Sequence, residues 1–181
     1  MRIESVRNVA AAAGLMLAFA GCTPHIERIS LDTGRLVASA NAQGVAHVAC
    51  PVHLRTLVDE RGADNRLGGI SDRLFQLDDV PGLVRKQLLA MGLSGDDAPG
   101  RLQVDVHILK FYLTGAGITK LPVVVYEGRI NDQPSFLIRS QQMSMNWAGT
   151  DSEAYAALAR SFQDANMQLV ARLQEQCGHP G

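Results

Sequence analysis

From Thr150 to Cys177 the chain reads TDSEAYAALARSFQDANMQLVARLQEQC, and its apolar residues recur at steps of three and four. Tyr155, Leu158, Phe162, Ala165, Leu169 and Leu173 fall on one stripe of a helix. Thr150 and Glu153 have the spacing of a capping box, which predicts where the helix begins. A helix that is apolar on one side only must lie on another layer, so the fold has to supply a facing surface.

Alternating segments supply it. In 45–58, VAHVACPVHLRTLV, the residues Val48, Cys50, Val52, Leu54, Thr56 and Val58 share one face, and His47, Pro51, His53 and Arg55 share the other. Pro51 cannot donate to a ladder, which favours an edge position or a bulge. Leu102, Val104, Val106 and Ile108 alternate with Gln103, Asp105 and His107 in a second strand. ITKLPVVVYEGRI and SFLIRSQQMSMNW follow as a third and a fourth, separated by the turn signals TGAG and NDQP. Short links predict an antiparallel meander. Asp79 can cap a further helix with Pro81 in its first turn and Gly92 at its end. DERGADNRLGGISDR reads as a polar loop and SGDDAPG as a turn cluster.

The expected fold class is therefore α+β, a single domain over 45–181 in the order β-α-β-β-β-α. It has a four-stranded, mainly antiparallel sheet with two helices packed on one face. The other face, carrying His47, His53, Arg55, Gln103, Asp105 and His107, is expected to be more open to solvent. Residues 23–44 mix Pro, Gly, Ser, Asn and Asp without sustained period and read as a tether, with RLVAS as a short strand. A flexible chain of that length spans on the order of 25 Å.

Residues 1–21 have the parts of an export signal: Arg2 and Arg7, an apolar run from Val9 to Ala20, and small residues before Cys22. The run is shorter than the roughly 20 apolar residues that a bilayer core requires. Phe19-Ala20-Gly21-Cys22 resembles the lipobox of bacterial lipoproteins, with Phe19 where that motif usually has leucine. The resemblance implies cleavage before Cys22 and acylation of this residue; several acyl chains anchor a protein stably to a membrane surface. Thr23 in place of an aspartate implies sorting to the outer membrane, with the domain facing the periplasm. The other reading is an ordinary secretory signal cut after AFA, leaving Cys22 a free thiol.

Cys50 and Cys177 then remain as a pair, and a pair in an exported chain is most simply a disulfide. Cys177 is the next step of the C-terminal stripe and Cys50 lies on the apolar face of the first strand, so both point into the interface between sheet and helix. A zinc site would need further ligands at suitable spacing, and neither cysteine has a CxxC or paired histidines nearby.

The net charge of −1 comes without a basic run, which argues against nucleic acid as a partner. GAGITK lacks the phosphate-loop pattern and sits between strands, and GGISDR is not GxSxG. His47 and His53 lie about 20 Å apart along one strand and cannot share an ion. Asp59, Glu60 and Arg61 end a strand and point in different directions, while Met143, Met145 and Trp147 suit core packing. No catalytic residue, metal ligand or cofactor is assigned.

LVDERG, VPGLVRKQLLAMGL, LQVDVHILKFYLTGAG and YAALARSFQDANMQLVARL behind a lipobox resemble the YajG-like family of bacterial outer-membrane lipoproteins, over roughly 45–177. The order of elements also resembles that of the LptE-type lipoproteins of lipopolysaccharide assembly. These likenesses imply an outer-membrane lipoprotein with no enzymatic site to carry over. With no converging nucleophile and base among the residues, the expectation is a non-catalytic binding or scaffolding component of the cell envelope, anchored in outer-membrane lipid through Cys22 and docking an envelope protein on the polar strand face at His47, His53 and Arg55. The competing class is a periplasmic hydrolase whose nucleophile and base the sequence does not reveal.

Overall fold

The structure, a computed structural model, describes residues 25–62, 66–70, 72–96, 102–116, 119–140, 144–145 and 150–178. In chain order the elements are β1 (Glu27–Ser30), α1 (Thr33–Asn41), β2 (Val52–Asp59), β3 (Arg66–Ile70), β4 (Arg73–Gln76), α2 (Val80–Ala90), β5 (Leu93–Ser94), β6 (Leu102–Ala116), β7 (Thr119–Ile130), β8 (Phe136–Arg139), β9 (Ser144–Met145) and α3 (Asp151–Cys177). The fold is mixed α+β, with three helices and two sheets among the described residues, where one sheet and two helices were expected. The signal segment and Cys22 lie outside the described residues, as do Met143 and Trp147.

α3 forms as its stripe predicts. Thr150 Oγ1 accepts from Glu153 N at 3.4 Å and Glu153 Oε2 accepts from Thr150 N at 3.3 Å, closing the capping box. All six stripe residues are buried, and so are Ala154, Ser161, Gln163, Asn166 and Val170 beyond the stripe. The wider burial has a physical cause: α1 covers a second flank of α3.

That helix corrects the expected tether. RLVAS is helical, and Leu36 and Ala40, one turn apart, are fully buried in the core. Asp32 caps α1 by accepting from Arg35 N at 2.6 Å. Tyr155 of α3 accepts from Asp32 N through its hydroxyl at 2.7 Å, and the Arg35 guanidinium lies 4.2 Å from the centre of its ring. β1 and α1 therefore belong to the packed domain, ahead of the expected boundary at residue 45.

The main sheet has the order β5-β2-β6-β7-β8, with β9 paired to the start of β7. The meander β6-β7-β8 is antiparallel as expected, but β2 runs parallel to both β6 and β5. α2 lies between them in the chain and supplies the crossover that a parallel pair needs. β2 is thus an interior strand, which corrects the edge position proposed for Pro51. Pro51 precedes the first ladder residue, Val52, so its missing N–H costs no ladder bond.

Two bulges set which side chains face the helices. Leu54 opposes Val104, but Thr56 opposes Asp105, so Arg55 is the extra residue and the alternation of β2 inverts after it. Leu57 then packs on the core, whereas Val58 is 37% exposed, contrary to the expected apolar face. In β6 the register shifts between Ile108 and Lys110, and the buried series Val104, Val106, Ile108 continues as Phe111 and Leu113.

The segment read as a polar loop forms the hairpin β3-β4, completed by β1 into a second sheet of order β1-β4-β3. Leu67, Ile70 and Phe75 turn inward from it. At Gly68, with φ +88°, a Cβ atom would stand 2.3 Å from the carbonyl oxygen of Leu113. Only glycine lets the small sheet approach β6 this closely.

Candidate functional site

The face of the main sheet away from α3 carries Arg55, Thr56, Gln103, Asp105, His107, Glu127 and Arg129. The β6–β7 register places Asp105 opposite Arg129 and His107 opposite Glu127. Because Arg55 sits in the bulge, both it and Thr56 reach the same carboxylate. Arg55 Nε donates to Asp105 Oδ1 at 2.9 Å, its Nη2 donates to Oδ2, and its Nη1 donates to Gln103 Oε1 at 3.0 Å. Thr56 Oγ1 donates to Asp105 Oδ1 at 2.7 Å. The Arg55 hydrogen bonds hold the Asp105 carboxyl at about 2, against the opposing cost of burial; Thr56 and the charges of Arg55 and His107 act in the same direction as Arg55.

The next row is built from groups that looked unrelated in the sequence. His107 Nδ1 lies 2.5 Å from Glu60 Oε1, across the end of β2. These two residues, with Glu127, Gly128, Arg129 and Ser135, line a small cavity of about 100 Å³. No hydrogen bond joins Ser135 to His107 among the described residues. Arg61 instead folds back on Asp59, with Nε and Nη2 donating to its two oxygens at 2.9 and 2.8 Å. Burial raises the cost of ionising Asp59, but the hydrogen bonds and charge of Arg61 outweigh it and hold the carboxyl below the usual range.

The three residues expected to meet a partner do not converge. His47 lies in the loop before β2, where its carbonyl accepts from Gln174 Nε2 at 2.8 Å, beside the end of α3. His53 is only 8% exposed, between Ser94 and Gln103 of the flanking strands, and its Nδ1 has no partner among the described residues. Burial removes His53 as a contact group. Arg55 is on the open face as expected, but it is committed to Asp105. The reading of the residues missed Glu127, Arg129 and Ser135, whose position depends on register across two antiparallel pairs.

Cys50 and Cys177 are joined, with Cα atoms 5.7 Å apart. The bond ties the last turn of α3 to the chain entering β2. Among the described residues no three His, Cys, Asp or Glu side chains gather as a metal site requires, and no helix is long and apolar enough to cross a membrane.

No protein-family model matches the chain, and no curated protein does. Among solved structures it is similar to protein XCC0632 from Xanthomonas campestris, of the family DUF330, at 13% identity and a TM-score of 0.47, covering 83% of this chain and 91% of that one. A second similar structure, described as an uncharacterized protein, has 9% identity and a TM-score of 0.48, covering 84% and 99% of the two chains.

Proposed function

We propose that the chain is a lipoprotein anchored through Cys22, facing the periplasm from the outer membrane, and that its domain binds or scaffolds another envelope component. The lipobox and its likeness to the YajG-like lipoproteins support the anchor. One structural observation supports binding over catalysis: two pairs of polar groups on the open face are joined across strands. Arg55 with Asp105 and His107 with Glu60 form a pre-ordered polar surface, whose side chains need little further ordering when a partner docks.

Capture from detergent-solubilised membranes with the lipidated, tagged chain tests this reading. The expected result is an envelope protein recovered by the native chain and lost with Asp105→Ala or His107→Ala. Equal recovery with both variants would move the partner off this face.

A second reading, a periplasmic hydrolase, is favoured by the same His107–Glu60 pair, because a carboxylate on Nδ1 orients an imidazole to act as a base through Nε2. It requires the Ser135 hydroxyl, which lines the same cavity, to come within hydrogen-bond reach of that Nε2. Ester or amide hydrolysis abolished by both Ser135→Ala and His107→Ala would establish this second reading over the first.

A further inference from the structure

We infer that the end of the domain formed by Glu27, Asp72 and the start of α3 is its membrane-facing end. The inference rests on the anchoring of Cys22 proposed above. What carries it is the length of chain between that anchor and the first fixed residue. β1 begins at Glu27, whose N–H donates to Asp72 O at 2.8 Å. Cys22 is five residues earlier. Even fully extended, five residues at about 3.3–3.6 Å each span at most about 18 Å.

Glu27 stands at one end of the molecule. Arg73 lies between Glu27 Oε2 and Asp151 Oδ1, at 3.3 Å from each, and so joins the start of β1 to the first residue of α3. Ile70, paired with Arg73, is also at this end: a Cβ on Gly115 would stand 3.2 Å from it, which brings the tip of the long β6–β7 hairpin alongside. α3 then runs 27 residues to the opposite end, about 40 Å at 1.5 Å per residue. There it meets the disulfide, His47 and the β7–β8 turn, where Gln133 Nε2 donates to Gln176 Oε1 at 3.0 Å.

A leash of about 18 Å cannot let the disulfide end replace the Glu27 end at the bilayer, because the two are about 40 Å apart. The hairpin tip and the start of α3 therefore face the lipid, and the disulfide end points into the periplasm. Glu27 and Asp151 hold Arg73 at this end, and the short leash and the acyl chains keep it at the lipid surface.

The test uses the full lipidated chain in phosphatidylethanolamine–phosphatidylglycerol vesicles. A fluorophore is placed on Asp72→Cys or on Asp132→Cys, and a quencher is carried on the lipid headgroups. Sedimentation of the native chain with vesicles, lost in Cys22→Ser, establishes the anchor; sedimentation that persists in Cys22→Ser refutes the anchor itself. With the anchor established, loss of most fluorescence at Asp72 and none at Asp132 is the expected result. A long glycine–serine insertion after Pro24 should restore the Asp72 signal while the chain still sediments. Equal quenching at the two positions, or stronger quenching at Asp132, would overturn the orientation and leave the anchor standing.

Discussion

Arg55 and Asp105 come from strands that run parallel, and the bulge at Arg55 is what brings Thr56 onto the same carboxylate that the guanidinium holds. Without the bulge Arg55 would oppose Asp105 directly, and Thr56 would point into the core beside Val106. The same irregularity that breaks the sequence alternation therefore builds the polar face.

Asp105→Asn should destabilise the domain at neutral pH by about 1–2 kcal/mol, with Arg55's 39% side-chain exposure discounting the full effect of the shift. The sign follows from a folded pKa of about 2 against the ordinary 3.8. The stabilisation is complete above about pH 4 and fades as pH falls towards 2. Denaturant midpoints between pH 2 and 6 should show a steeper acid limb for the native chain than for the variant.

Replacing Cys50 and Cys177 by serine opens a covalent loop with a sequence separation of 127. In the chain-entropy model the loss reaches about 4–5 kcal/mol. Urea unfolding of the double variant should shift to lower denaturant, and peptide mapping of the native chain without reductant should recover the bridged pair.

Leu36→Ala distinguishes a helix in the core from a tether. With Leu36 fully buried against α3, the cost should be about 2–5 kcal/mol in equilibrium unfolding. A loss within about 0.5 kcal/mol, as for a surface position, would return residues 33–41 to the tether.

Gly68→Ala should lower stability by more than the roughly 1 kcal/mol of an ordinary glycine substitution. The added methyl must displace the Leu113 backbone at a φ of +88°. A thermal midpoint unchanged from that of the native chain would show that β3 does not press on β6.

The parts of this architecture that were legible in the sequence are those with long, uninterrupted periodicity. The stripe from Tyr155 to Leu173 and the alternation from Leu102 to Ile108 each repeat often enough to outweigh local noise. The disulfide followed from them, because both cysteines continued an apolar face. α1 was hidden because only Leu36 and Ala40 of its nine residues are buried, too few to define a period. β3 and β4 were hidden by Gly68 and Gly69, which signal a turn but serve a close approach. The parallel pairing of β2 and the meeting of Glu60 with His107 depend on register between distant strands, which no local pattern encodes.

The proposed membrane anchor at Cys22 is tested most directly by intact-mass and N-terminal peptide mass spectrometry of the mature chain from membranes. The predicted result is a first residue Cys22 carrying a diacylglycerol on sulfur and an acyl group on its amine. A mature chain that starts elsewhere, or that carries an unmodified Cys22, would contradict it.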